Sequence, residues 1–311
     1  MNTRRPDFQE YRNALRTDPR SIDIARQDFQ DLVDWFKTRD CEFLTRKDDI
    51  LKYEQRLLAY TQDPTKSDPP SAPLPANITA IVQFDRREFH LNPDGDWTPN
   101  SNIRFSNIRL SAIARPLAAS LDLSSDFRVG YNHLADSIKG CMSDGDLDTA
   151  VQQSVGVIDS RKPEGYGFKV GHRVFVKQKR EDDDDDGGII ETWPVGPQAV
   201  AELEKIKHTH IAVPIPAYNI AGQAILPAQY VAELQDATVL LTFHLKHWVI
   251  QKRHTFAADI ESIRVLAPPP PPTPKRKLGN RRTNNHHTGN GGPSRTQQTA
   301  GAENAPECAC M

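Results

Sequence analysis

Cysteine is scarce in this chain and so is every signature of disulfide architecture. Only Cys41, Cys141, Cys308 and Cys310 occur in 311 residues, too few and too irregular for a disulfide framework, which points to a reducing compartment. No stretch approaches the roughly 18 consecutive apolar residues of a membrane span. The opening MNTRRPDFQEYRNAL lacks the apolar core of a secretory signal. The expectation is a nuclear or cytoplasmic protein, neither secreted nor transmembrane, with no membrane partner. Apolar residues reach only 37%, against roughly 45–50% in ordinary globular chains. With 24 prolines and a mean hydropathy of -0.61, part of the chain is expected to stay unstructured.

Catalytic signatures are missing as well. There is no GxxxxGKS/T, HExxH, GxGxxG or GxSxG, and no Cys/His set has zinc spacing along the sequence. In SDGDLDTAVQQSV (143–155) Asp144, Asp146 and Asp148 match the first ligand positions of a calcium loop. Thr149 then stands where glycine is needed, and Val155 where a bidentate carboxylate is needed, so a turn and helix start is the better account. No catalytic residue, cofactor or metal ligand is nominated.

What is present is strongly patterned. Residues 1–62 read as a helical segment. SIDIARQDFQDLVDWF puts Ile22, Phe29, Leu32, Val33 and Phe36 at helical steps, with Ser21 as N-cap. KDDILKYEQRLLAY follows with Asp48 and Asp49 in its first turn, suited to the helix dipole. Residues 63–77 carry five prolines and read as a linker.

From 78 to 266 the period shortens to that of strands. ITAIVQF alternates, and Phe89 and Leu91 resume on the opposite parity, so DRRE (85–88) is expected to be a bulge. NPDGDW (92–97) signals a turn. Further strands are expected in 102–114, 165–180, 209–218, 237–251 and 255–266. Helices are expected near 147–157, 198–207 and 227–234, with Pro227 in a first turn. The fold class is mainly β with helical insertions, barrel- or sandwich-like. Residues 267–311 form a proline-rich, basic tail that reads as disordered.

Two strands mix cations with aromatics. In TFHLKHWVIQKR, the apolar Val239, Leu241, Phe243, Leu245 and Val249 are expected to face the core. His244, Lys246, Trp248 and Lys252 fall on the other side. In GHRVFVKQKR, on the expected strand 165–180, Arg173, Phe175, Lys177 and Lys179 share a face. A base stacked on an aromatic ring while cations meet phosphate is one way single-stranded nucleic acid is held; a tryptophan packed beneath an inserted helix is the competing reading. EDDDDDGG (181–188) is expected to be a solvated acidic loop, with occupation of a cationic groove as the alternative. In PKRKLGNRR, Lys275, Arg276, Lys277, Arg281 and Arg282 suit an importin-type receptor or phosphate contact. The tail holds six Lys/Arg against two Glu, a net of +4.

Residues 208–270 carry a Pro-x-Pro-Ala-Tyr segment, the TFHLKHW strand and an IESIRVL strand ending in prolines. This block resembles the C-terminal part of a large family of uncharacterised proteins from mushroom-forming fungi. The resemblance covers about a fifth of the chain, implies a fungal protein and implies no activity. The residues themselves point to a nucleic-acid-associated, non-enzymatic β-domain. The alternatives are a self-assembling module, a homo-oligomer formed through residues 21–61 by Phe29, Val33 and Phe36, and, third, an enzyme.

Overall fold

Residues 21–36 do not form the expected amphipathic helix. After helix α1 (Phe8–Thr17), strand β1 (Ile22–Asp23) pairs in parallel with Ile78 and Thr79. A single helical turn, α2 (Phe29–Leu32), leads into β2 (Val33–Lys37), which folds back on β3 (Glu42–Arg46). Ile22, Phe29 and Val33 do sit at helical spacing, but they enter one core from three different elements, β1, α2 and β2, and tertiary pairing overrides the local period. Ser21 is therefore no cap: its hydroxyl donates to Asp18 Oδ2 at 3.3 Å. Helix α3 (Lys47–Gln62) forms as expected, with Asp48 and Asp49 in its first turn, yet Leu51 and Leu58 on it are 54% and 61% exposed. Since Phe29 and Val33 are buried within their own chain, they are not available to join two copies.

The computed structural model describes residues 8–63, 65, 68–118, 120–142, 156–159, 162, 165–178, 187–250 and 253–271. Most of the expected acidic loop 181–188 and of the expected helix at 147–157, and the basic string 274–282, lie outside these; residues 156–157 are bent rather than helical and residues 187–188 begin a short helix. Residues 1–271 form one compact unit. The proline stretch before Ile78 is no free linker, because Ala76 N donates to Leu44 O at 2.9 Å and Thr45 Oγ1 donates to Leu74 O.

The sheet is built on β4 (Ile78–His90), β5 (Arg109–Arg115), β6 (Phe168–Arg173), β10 (Thr238–Ile250) and β11 (Arg253–Ala267). β4 pairs with β5, β5 with β6, β6 with β11 in parallel, β11 with β10, and β10 returns to β4. These five strands close a barrel. Two parity changes in the sequence are absorbed by bulges. One lies at Asp85–Glu88, as expected, where buried Asp85 accepts from Arg87 N at 2.6 Å and Glu88 N at 2.7 Å and faces Arg115 Nε at 2.5 Å. The other leaves Glu261 unopposed on β11, so that Ile260 and Ile263 both point inward.

The interior is filled by Val82, Phe84, Leu110, Val170, Leu241 and Phe243 and their neighbours. Helix α4 (Leu121–Gly140) adds Phe127, Tyr131, Leu134 and Ile138 to this core, with Phe127 stacked on Phe168. Gly130 lets the helix approach: a Cβ there would lie 2.5 Å from Ile24 Cγ2.

The run 165–180 does not stay in one sheet. β6 ends at Arg173, and β7 (Phe175–Lys177) pairs with β8 (His210–Ala212) in a separate two-stranded sheet. Pro214 and Pro216 cannot donate to a ladder, so the run 209–218 is split into β8 and β9 (Ala217–Tyr218), which pairs with β11. Among the described residues, no helix is long and apolar enough to cross a membrane.

Phe243 is fully buried, packs against Phe168, and stands opposite Ile78 on one side and Ile260 on the other. Phe243→Ala is expected to cost about 3–5 kcal/mol through the cavity it leaves, read as a lower urea midpoint with an unchanged slope.

Candidate functional site

Strand alternation on the outside of the barrel sets the site. The outer faces of β5, β6, β11 and β10 form a groove of ≈ 450 Å³. Its floor is made of small side chains: Ser111 stands opposite Gly171, and Thr255 and Ala257 stand opposite Trp248 and Lys246. Larger residues rise at the edges. Trp248 is half-buried, Ile250 and Ile103 are 55% and 57% exposed, and Arg109 and Lys169 contribute cations. The loop 91–108 between β4 and β5 supplies Ile103 and Asn107.

One ion cluster sets the electrostatics. Arg109 lies on β5 and Asp259 on β11, with β6 between them. The Arg109 guanidinium passes over Gly171, where a Cβ would stand 3.5 Å from its Nε and Nη2 and 3.0 Å from the Leu110 carbonyl oxygen, and donates to Asp259 Oδ1. Lys246 Nζ reaches the other carboxylate oxygen at 2.9 Å. Burial alone would raise the Asp259 pKa, but the Arg109 charge and the Lys246 contact outweigh it and hold the carboxyl below its ordinary value. Two cations are thus tied to one anion, while Lys169 and Arg173 are exposed and carry no ion pair among the described residues. One wall depends on Gly156, whose φ of +131° and close approach to the Phe256 carbonyl exclude any side chain.

The sequence-derived candidates separate here. Trp248 lines the groove and Lys246 sits beside it through Asp259. His244 points elsewhere: its Nε2 contacts Asn77 Oδ1 at 2.8 Å, and burial lowers its pKa, so it is not a standing cation. Arg173 is opposite Arg109, but Lys177 belongs to the other sheet, across from His210. Phe175 is buried against Phe105 and Trp193, so the second cation-aromatic face does not exist. Val249, expected in the core, is 61% exposed, because the buried row of β10 ends at His247. Lys179 and Lys252 lie outside the described residues, as do Lys275, Arg276, Lys277, Arg281 and Arg282. Arg109, Lys169 and Ile103 were not nominated by sequence; only the β5–β6 register brings them beside Trp248.

A second, mainly apolar cleft of ≈ 610 Å³ is lined by Trp193, Pro214, Pro216, Tyr218 and Ile225. Metal-type ligands absent from sequence spacing do meet in space: Glu42, Cys141 and His247 place one ligand atom each within 4.8 Å of one another. That group lies at the inward-facing end of β10 rather than in the groove.

The ring order β4-β5-β6-β11-β10, with the third and fifth strands parallel, is that of the OB-fold. In such barrels the face of the second and third strands and the loop after the first hold oligonucleotides or oligosaccharides. The corresponding surface here is the groove on β5, β6 and loop 91–108.

No family model matches the sequence, and no curated protein matches it. Among solved structures the chain is similar to the single-stranded DNA-binding protein gp2.5 encoded by bacteriophage T7, at 7% identity and a TM-score of 0.38 over 70% of this chain and 100% of that one. It is also similar to the single-stranded DNA-binding protein from bacteriophage Enc34 in complex with single-stranded DNA, at 10% identity and a TM-score of 0.36 over 78% and 98% of the two chains.

The Asp259 carboxylate gives a pH prediction. A depressed carboxyl stabilises the fold above its unfolded pKa of about 3.9 and loses that contribution as pH falls through its lower folded value. Asp259→Asn is expected to flatten this acid limb, measured as the difference in urea midpoint between neutral pH and about pH 3.

Proposed function

We propose that this protein binds single-stranded nucleic acid in the barrel groove, without chemistry on it. The observation that carries the reading is Trp248, half-buried on β10 with Arg109 and Lys169 lining the same groove. A half-buried tryptophan in a groove offers aromatic surface to a base, and the small residues of the floor leave room for it. Ile103 and Ile250 extend the apolar surface on which a neighbouring base would rest. Lys169 and Arg173 are the cations placed to meet phosphate without first leaving a carboxylate. Fold alone does not assign a function, and this reading rests on those side chains.

Asp259 limits general polyanion binding: by holding Arg109 and Lys246 it keeps two cations from phosphate, which leaves Lys169 and Arg173 for backbone contacts while the bases lie over the floor. The tail cations Lys275, Arg276, Lys277, Arg281 and Arg282 would add a sequence-independent arm. If all six tail cations met phosphates on duplex DNA, log K would fall with log salt at a slope of about -5. The same string suits an importin-type receptor and hence a nuclear location, and the 208–270 block suits a fungal origin. A protein partner is the second reading, favoured by the apolar cleft at Trp193 and Tyr218.

Fluorescence anisotropy with labelled single-stranded and duplex oligonucleotides tests the first reading on the full-length protein. Trp248→Ala is expected to weaken single-strand binding by about 1–3 kcal/mol, the worth of one stacked base. Asp259→Asn is expected to tighten binding, because Arg109 and Lys246 become available to phosphate. Neutralising Lys275, Arg276, Lys277, Arg281 and Arg282 is expected to lower duplex binding more than single-strand binding. If Trp248→Ala leaves affinity unchanged while the tail variant abolishes it, the groove is not the site and the protein-partner reading takes its place.

A further inference from the structure

At the end of β10 opposite to its ladder with β4, three side chains from distant parts of the sequence converge. Glu42 comes from β3, Cys141 caps the C-terminus of α4, and His247 is the last buried residue of β10. The Cys141 Sγ lies 3.2 Å from Glu42 Oε2 and 3.2 Å from His247 Nδ1, and Nδ1 lies 3.0 Å from the same Oε2. One sulfur, one imidazole nitrogen and one carboxylate oxygen thus form a nearly equilateral triangle.

We propose that Glu42, Cys141 and His247 form a binding site for a thiophilic divalent cation, Zn²⁺ in particular. Mixed S, N and O donors are the ligand types zinc takes, with bonds of about 2.0–2.3 Å. The centre of this triangle is about 1.8 Å from each corner, slightly less than those bond lengths, so an ion seats just above its plane with a fourth position open. The thiolate favours zinc over the hard cations Mg²⁺ and Ca²⁺.

The surroundings are those of a metal-bound imidazole. His247 Nε2 lies 2.9 Å from His254 Nδ1. With Nδ1 on the ion, Nε2–H donates to His254, which fixes the tautomer and the ring, as second-layer partners of metal ligands do. Phe256 stacks on the His247 ring at 4.5 Å between centroids, and Trp35 meets it edge-on at 6.0 Å. The other carboxylate oxygen of Glu42 faces Lys37 Nζ at 3.5 Å, which leaves Oε2 for the ion.

A cysteine beside a histidine also suggests a nucleophile, but the geometry opposes that. In an activated pair the carboxylate orients the far nitrogen of the imidazole; here it sits on the near nitrogen and on the sulfur itself. Burial and Glu42 both push the thiol pKa up, the reverse of activation. The remaining competitor is a metal-free cluster in which the thiol and the imidazole N–H both donate to Glu42.

Cobalt(II) titration of chelator-treated, full-length protein separates the two. One equivalent of Co²⁺ is expected to produce a thiolate charge-transfer band in the near ultraviolet, displaced by Zn²⁺. The Cys308→Ser/Cys310→Ser protein is expected to keep the band, and Cys141→Ser to lose it. His254→Ala is expected to keep one-equivalent binding with about 10- to 100-fold weaker affinity. Circular dichroism checks that each variant is folded; should Cys141→Ser fail to fold, Glu42→Gln and His247→Gln are read in its place. A folded wild-type protein that gives no band, or a band that survives loss of Cys141, His247 or Glu42 and vanishes with Cys308 and Cys310, overturns the site.

Discussion

The antiparallel ladder between Ile78–Gln83 and Thr238–Phe243 is the contact on which the rest of this structure depends. It joins segments more than 150 residues apart and turns an open sheet into a ring. Without it Val239, Leu241 and Phe243 would lose the opposite wall that buries them, each burial contributing roughly 1.5–3 kcal/mol. Closure also removes two sheet edges that would otherwise invite pairing with other chains. Beyond Phe243 the strand parts from β4 and takes β3 as its neighbour, Lys246 opposite Phe43 and His247 opposite Glu42. The N-terminal hairpin is thereby an extension of the barrel wall and not a separate module.

That change of partner sets up both polar sites. On the outside, β10 delivers Trp248 to a channel whose floor is kept low by Ser111, Gly171, Thr255 and Ala257. On the inside, the same strand delivers His247 to Glu42 and Cys141. The channel's charge is governed by one carboxylate, Asp259, which holds Arg109 and Lys246 in fixed positions.

Much of the barrel was legible in the sequence because alternation is a local property. β4, its bulge at Asp85–Glu88, β10 and β11 all follow from the spacing of apolar residues. Residues 21–36 were not, since Ile22, Phe29 and Val33 satisfy a helical period while lying on three different elements of one core. Trp248 could be found from its own strand. Arg109 and Lys169 could not, because their nearness to it depends on the order β5-β6-β11-β10, which no local pattern encodes. The face inferred from Arg173, Phe175 and Lys177 failed because alternation cannot reveal that a strand leaves one sheet for another at Val174. The histidine–cysteine–glutamate group spans residues 42 to 247 and leaves no trace in linear spacing.

His247 and Trp248 are adjacent in the chain and face opposite sides of one strand, which makes β10 sensitive to its length as well as to the identity of its buried row. A residue lost or gained between Phe243 and His247 would turn the tryptophan inward and the histidine outward together. Irregular pairing with β11 is confined to Thr238/Val239 and Thr242/Phe243. Insertions upstream of Phe243 thus have a place to be absorbed, whereas the five residues after it act as a fixed gauge. Over evolutionary time this strand should drift in composition on its exposed face and keep its count.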